Sequence, residues 1–295
     1  MQLPARDVDL FYDLYFPFLA YANEKTHALP GQSLPEKPKR MYMEDASAIR
    51  DRLYERPELI DSYISENPHR LGQAHLDIVR SWRGYVKGRF VVMRHLKEHT
   101  VFLSTEGQQM AFGVLGLREP LEAILGQRLP VLVDAVLLPS RDRIVYDGIL
   151  HPYSVLFGAG IKREMKEGYE MAVAKYGIVT SLPVPGEARE LEDAERLRLY
   201  LRDEHSRERY AEDVERLVGK SPDLLAIYYR EMGKVHARRL GKELRSLGIS
   251  DAWFGVIGDM VVASGPSKED LERTLERVLP ADRLGHVHVF RVRAR

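Results

Sequence analysis

Two hydrophobic periods follow one another along this chain. Up to about residue 86, apolar residues recur every three to four positions, which is typical of helices that bury one face. The members of the first stripe are Phe11, Leu14, Tyr15, Phe18 and Tyr21. A proline-rich run over residues 28–40 predicts a loop between helices. We therefore predict a helical region over residues 1–88.

From Arg89 the pattern shortens to apolar or alternating runs separated by turn residues, which indicates β-strands. The runs are "RFVVMRH", "HTVFLS", "QMAFGVLGL", "PVLVDAVLL", "RIVYDG" and "YSVLFG". A short helix is expected near residues 119–126. The pair Asp147-Gly148 predicts a two-residue hairpin turn. A further helix, over Ile161–Tyr176, carries an apolar stripe that should pack on the sheet. We predict a small β-rich barrel or roll with a packed helix over residues 89–182.

Residues 183–220 are dense in charges of both signs and carry one narrow apolar seam. This pattern predicts a long exposed helix, or two, that connects the halves of the chain. The residues of the seam are Leu191, Ala194, Leu197, Leu201, Tyr210, Val214 and Leu217.

The C-terminal part, residues 221–295, contains strong local signals. Ser221-Pro222 supplies a cap and a first-turn proline for a helix that Gly248 should end. Gly258-Asp259 predicts a hairpin turn, and Ser267 should cap a second helix before the last strand. The resulting order α-β-β-α-β resembles a ferredoxin-like fold without its first strand. The fold class predicted for the whole chain is α+β.

Composition narrows the classes of function. The chain of 295 residues has 44 basic and 44 acidic residues. Any electrostatic attraction for a charged partner must therefore come from a local patch of one sign. It has no cysteine, which excludes disulfides, thiolate nucleophiles and iron–sulfur clusters. Asn23 and Asn67 are the only asparagines and arginine is plentiful, as in thermophilic proteins. The absence of cysteine fits a cytoplasmic location. No run of about 18 apolar residues occurs, so we expect no membrane partner.

The first candidate site is the stretch around Gly158, Gly160, Lys162 and Arg163. An expected strand runs into the glycines, and a helix then begins with two cations. Backbone N–H groups at a helix start bind anions, so the stretch is a candidate phosphate site. The alternative is a tight strand–helix junction that needs glycine for close packing. We favour this plain junction, because so short a glycine motif is common.

The second candidate is a basic ridge on the long C-terminal helix. Lys234, Arg238, Lys242 and Arg245 fall on one side of it, opposite an apolar stripe that includes His236. Such a ridge can contact nucleic-acid phosphates. The alternative is an ordinary solvated face, because the ridge lacks interleaved aromatic residues.

Two further candidates involve titratable side chains. His95 and His99 flank an expected hairpin loop and could supply half of a metal site, but no third ligand is identifiable. Asp134 interrupts an apolar strand and could act as a buried acid or base, with Asp142, Asp147 and His151 nearby. The alternatives for Asp134, which we favour, are an inward ion pair with an arginine or an edge-strand charge that blocks aggregation.

No catalytic signature and no family motif is recognised in the chain, and we predict no cofactor. The leading hypothesis is a cytoplasmic binding or interaction protein that contacts nucleic acid or a protein partner, with the basic ridge as the nucleic-acid surface. The alternative is an enzyme acting on a phosphorylated or nucleotide ligand near Gly158–Arg163. Whether the protein is an enzyme stays open at this point.

Overall fold

The fold is α+β, with a six-stranded mixed sheet and a separate three-stranded sheet. A computed structural model describes residues 1–29, 43–184 and 189–293. The predicted proline-rich loop therefore lies almost entirely outside the described residues. The chain divides into two compact units, Met1–Arg189 and Glu190–Arg295. Among the described residues, no helix combines the length and the apolar character needed to cross a membrane.

The first unit begins with helices and continues with strands, as the change of hydrophobic period predicts. Its helices are α1 (Ala5–Thr26), α2 (Met43–Glu55), α3 (Glu58–Glu66), α4 (Gln73–Ser81), α5 (Leu121–Leu125) and α6 (Ala159–Tyr176). Its strands are β1 (Val86–His95), β2 (Thr100–Ser104), β3 (Ala111–Leu115), β4 (Val131–Ser140), β5 (Arg143–Pro152) and β6 (Ile178–Val179).

The strands of this unit are paired in the order β2-β1-β4-β5-β3-β6, and β2 also pairs with β3. The β3–β5 and β3–β6 pairs are parallel, and the other pairs are antiparallel. The main core joins the aromatic stripe of α1 to the sheet around the fully buried Trp82. A second cluster packs Met165, Tyr169 and Ala172 of α6 on β1–β3, whereas Ile161 at the helix start is half exposed.

The predicted hairpin turn at Asp147-Gly148 is wrong, because this pair lies inside β5. Ala135 pairs with Leu150 and Leu137 pairs with Tyr146, so one residue of β4 faces three of β5 in a bulge. Gly148 has a φ of 91°, which a residue without Cβ adopts at low cost. The turn between β4 and β5 instead lies after Ser140, which pairs with Arg143.

The strand predicted over "YSVLFG", residues 153–158, is also wrong. The Tyr153 N–H still donates to the Leu132 carbonyl, but regular pairing ends at Pro152. The partner strand β4 begins at Val131, directly after a proline that has no N–H to donate. The segment therefore continues as irregular backbone, in which Leu156 is fully exposed.

The second unit contains six helices and a three-stranded antiparallel sheet in its described residues. The helices are α7 (Asp193–Tyr200), α8 (Glu204–Arg209), α9 (Ala211–Val218), α10 (Pro222–Ser246), α11 (Lys268–Val278) and α12 (Ala281–Leu284). The strands are β7 (Ala252–Ile257), β8 (Met260–Gly265) and β9 (His288–Val292), in the order β8-β7-β9.

The charged stretch forms three short helices, so the prediction of one long connecting helix, or two, is wrong. Asp203 has an extended backbone, and its side chain accepts a hydrogen bond from the Ser206 N–H at 3.0 Å. A cap in that position starts a new helix and breaks the longer one. The predicted seam is nevertheless buried, because Leu197, Val214 and Leu217 pack with Leu224 of α10.

Candidate functional site

The predicted basic ridge lies on α10, whose two ends follow local sequence signals. The Ser221 side chain accepts a hydrogen bond from the Leu224 N–H at 3.2 Å and caps the first turn. At the other end, the Ile249 N–H donates to the Leu244 carbonyl, and the Gly248 N–H donates to the Arg245 carbonyl. These two bonds, with Gly248 at a φ of 82°, form a Schellman motif. The chain therefore turns away sharply after the last turn of α10.

This turn leaves an open cleft, the α10 cleft, between the last turns of the helix and the loop that follows. Its volume is about 660 Å³. The cleft is lined by Arg238, Lys242, Arg245, Ser246, Gly248, Ile249 and Ser250. Three of the four predicted ridge cations thus share one cavity. The loop residues were not predicted as part of a site, because a loop has no periodicity that assigns it to a face.

The three cations of the α10 cleft are exposed, and none forms an ion pair with another described residue. Neighbouring cations on the same helix differ in this respect. Lys234 Nζ lies 2.6 Å from Glu231 Oε1, and Arg239 Nη1 lies 3.1 Å from Glu243 Oε1. Lys234, the fourth predicted ridge residue, is not part of the cleft lining, and Glu231 already neutralises its charge.

The spacing of the cleft cations fits a chain of anions. Arg238, Lys242 and Arg245 are four and three residues apart, so they lie on one helix face. At a rise of 1.5 Å per residue they span about 10 Å along the axis. A guanidinium can hold phosphate through two parallel hydrogen bonds, and an ammonium binds it as a point charge. The arrangement can therefore contact two or three successive phosphates.

The candidate phosphate site at Gly158 lies at the start of α6, but it is not preceded by a strand. Gly158 is the N-cap and provides no side-chain cap, and open space surrounds both Gly158 and Gly160. Lys162 and Arg163 are exposed in the first turns. The site stays a prediction.

Asp134 is paired on the surface of the sheet. Its side chain is 39% exposed, and Oδ1 lies 3.4 Å from Arg89 Nε. The Tyr153 hydroxyl donates a hydrogen bond to its other oxygen. Asp134 also stands opposite His151 in the β4–β5 register. The ion pair with an arginine is thus present, and the carboxylate that the fold buries is instead Asp147, which is 1% exposed.

His95 and His99 are not cross-strand partners, because His95 pairs with Thr100. Both ring nitrogens of His95 make 3.0 Å contacts, Nδ1 with the Thr100 hydroxyl and Nε2 with the Gly126 carbonyl. The His99 ring packs over Gly113, and burial lowers the pKa of His99. The described residues contain no group of three or more histidine or carboxylate side chains that could hold a metal ion.

Comparison of this chain with known protein families, curated proteins and solved structures found no match. Functional inference therefore starts from the geometry of the two units.

Proposed function

We propose that the protein binds the phosphate backbone of nucleic acid through the α10 cleft. The single observation that supports this function is the set of Arg238, Lys242 and Arg245, three exposed cations that line one cavity without counter-charges among the described residues. When exposed cations of a protein bind the phosphates, the nucleic acid releases its condensed counterions. This release supplies most of the affinity of non-specific complexes. A cytoplasmic location, where nucleic acid is present, belongs to the same proposal.

The expected binding is weak and independent of sequence. Phosphate contacts position a protein on nucleic acid but do not read bases. The cleft lining contains no aromatic residue on which a base could stack. With three contacts to a single strand, log K should fall with log salt at a slope of about −2, since each contact contributes about −0.7. Affinity should then drop about 20-fold between roughly 50 and 200 mM salt.

The test is the salt dependence of binding to a fluorescent single-stranded oligonucleotide, measured by anisotropy. The variant Arg238→Ala/Lys242→Ala should reduce the slope to about −0.7 and the drop to about threefold, because one contact remains. Arg239→Ala is the matched control: it removes a cation from the same helix, but one that pairs with Glu243. The control should retain the wild-type slope. A wild type without salt-sensitive binding, or equal losses in both variants, would exclude this function.

Two finer features of the fold belong to the same set of proposals. The pairings β2–β1–β4–β5–β3 lead back to β2, which supports a small closed barrel in the first unit. The ferredoxin-like comparison for residues 221–295 is supported by the order α-β-β-α-β of its main elements. Small barrels and split α+β units occur with many functions, so neither feature selects one.

A further inference from the structure

A hydrogen-bonded serine–histidine pair lies in the first unit, beside Asp134, and its serine was not among the candidates found in the sequence. Ser47 is in the first turns of α2 and His151 is near the end of β5, so 104 positions separate them. Ser47 Oγ and His151 Nε2 are 2.8 Å apart, and both side chains are partly buried. This distance is within the range for a nucleophile and its general base.

The neighbouring donor leaves the serine free to donate in this hydrogen bond when the neutral imidazole carries its proton on Nδ1. Arg50 Nη2 donates to Ser47 Oγ at 3.3 Å, and a guanidinium has only donors. The single hydrogen of the hydroxyl is then free to be donated to His151 Nε2 when the imidazole is neutral. In that arrangement the serine proton points at the base that would remove it. The Arg50 guanidinium lies beside the oxygen and can stabilise negative charge that develops there.

An open groove of about 400 Å³ adjoins this pair: His151 and Arg50 line it, whereas Ser47, which both of them contact, is partly buried beside them. It is lined by Arg50, Asp51, Glu55, Lys87, Gly88, Arg89, Glu106, Asp134, Ala135, Val136 and His151. Its volume is in the range of small-molecule sites.

The charges of the groove favour an uncharged substrate over a phosphate. Asp51 pairs with Arg50 at 3.2 Å and with Lys87 at 3.0 Å, and Asp134 pairs with Arg89. Two further carboxylates and no further cation line the cavity. The groove therefore has no surplus of positive charge with which to hold a phosphate dianion. An uncharged carboxylic ester meets no such electrostatic cost.

We propose that Ser47 and His151 are a catalytic dyad that hydrolyses small carboxylic esters in this groove. Ser47 Oγ forms a bond to the ester carbonyl carbon while its proton passes to His151 Nε2. The carbonyl oxygen becomes an oxyanion beside Arg50. When the tetrahedral intermediate collapses, the bond to the leaving alcohol breaks, and that alcohol takes the proton from His151. Water, deprotonated by His151, then adds to the acyl carbon. The bond from that carbon to Ser47 Oγ breaks, Ser47 Oγ takes the proton back from His151, and the carboxylic acid is released.

The experiment treats the full chain with a fluorophosphonate probe that labels activated serines, followed by intact mass measurement and peptide mapping. One label at Ser47 is expected, together with hydrolysis of p-nitrophenyl acetate. Ser47→Ala should lose the label, and His151→Gln should react about 100-fold more slowly or worse, because a general base typically contributes that much. Ser62→Ala is the matched control: Ser62 is a partly exposed helical serine whose hydroxyl donates to the Glu58 carbonyl. This variant should behave as wild type.

The mapping of the wild type decides the matter even if a variant fails to fold. A wild-type protein that takes no label, or takes it at another serine, would overturn the proposal. Equal labelling rates in wild type and a folded His151→Gln would show that the pair only ties α2 to β5. Circular dichroism melting curves of each variant separate loss of reactivity from loss of structure.

Discussion

The buried Asp147 makes the stability of this protein depend on pH in a direction opposite to that of a usual carboxylate. Its Oδ2 accepts a hydrogen bond from the Tyr15 hydroxyl at 3.2 Å, and its Oδ1 accepts one from the Ile149 N–H at 3.0 Å. Arg50, which is also buried, has its Nη1 3.8 Å from Oδ2. This ion pair is too long for a hydrogen bond. Burial therefore outweighs the attraction of Arg50 and raises the pKa of Asp147 from 3.8 to about 7.

The raised pKa of Asp147 determines the sign and the size of the change in unfolding free energy with pH. Between about pH 4 and 7 the folded protein keeps the Asp147 proton, whereas the unfolded chain has lost it. The free energy of unfolding must then fall as pH rises through this window. Each unit of pKa difference corresponds to 1.36 kcal/mol, so the full loss is about 4 kcal/mol. Below about pH 4 and above about pH 7, Asp147 causes no further change in the free energy of unfolding.

The assay is urea unfolding of wild type and Asp147→Asn at several pH values from about 4 to 8. The asparagine amide oxygen can still accept from the Ile149 N–H, but it does not ionise. The unfolding free energy of wild type minus that of the variant should decrease by about 4 kcal/mol across the range. A constant difference for Asp147→Asn would refute the reasoning. An increasing difference would mean that Arg50 lowers the pKa.

Three other outcomes can be checked directly. A fragment of residues 190–295 should unfold cooperatively in circular dichroism melts, whereas residues 221–295 alone should not, since they lack α7 and α9 and expose the face that packs on them. Gly116→Ala should cost about 1–3 kcal/mol in urea unfolding, because the new Cβ would overlap the Glu119 carbonyl oxygen. Sulfate should stabilise wild type and Arg163→Ala equally against a chloride control, as expected of a plain helix start and not of an anion site.

Elements with local signals could be predicted from the sequence. The start of α10 at Ser221 and its end at Gly248 both follow from hydrogen bonds within a few residues. The hairpin at Gly258 and the cap at Ser267 are also where the sequence predicts them. These features depend on backbone groups that are neighbours in any conformation of the chain, so the tertiary fold has little to add. The helical period likewise predicted that Arg238, Lys242 and Arg245 share a face.

The tertiary structure overrode the local signals where burial or the lack of a partner strand was decisive. Asp147-Gly148 has the composition of a hairpin turn, yet burial beside Tyr15 and Arg50 places it in a bulge of β5. The run "YSVLFG" has the composition of a strand, but β4 begins only at Val131, so regular pairing stops at Pro152. Strand pairing needs a second segment with free donors and acceptors, and the sequence of one segment does not contain that information.

The candidate sites likewise combine features that the sequence predicts with features that only the fold determines. The sequence predicted a ridge of four cations, but only the fold separates Lys234, which pairs with Glu231, from the three that line the α10 cleft. No sequence signal could have joined Ser47 to His151, because the packing of α2 against β5 alone brings them to 2.8 Å. Spacing along a helix is fixed by its 3.6-residue period. Contacts between segments that are distant in sequence form only when the core packs, and the packing of the core determines which segments meet.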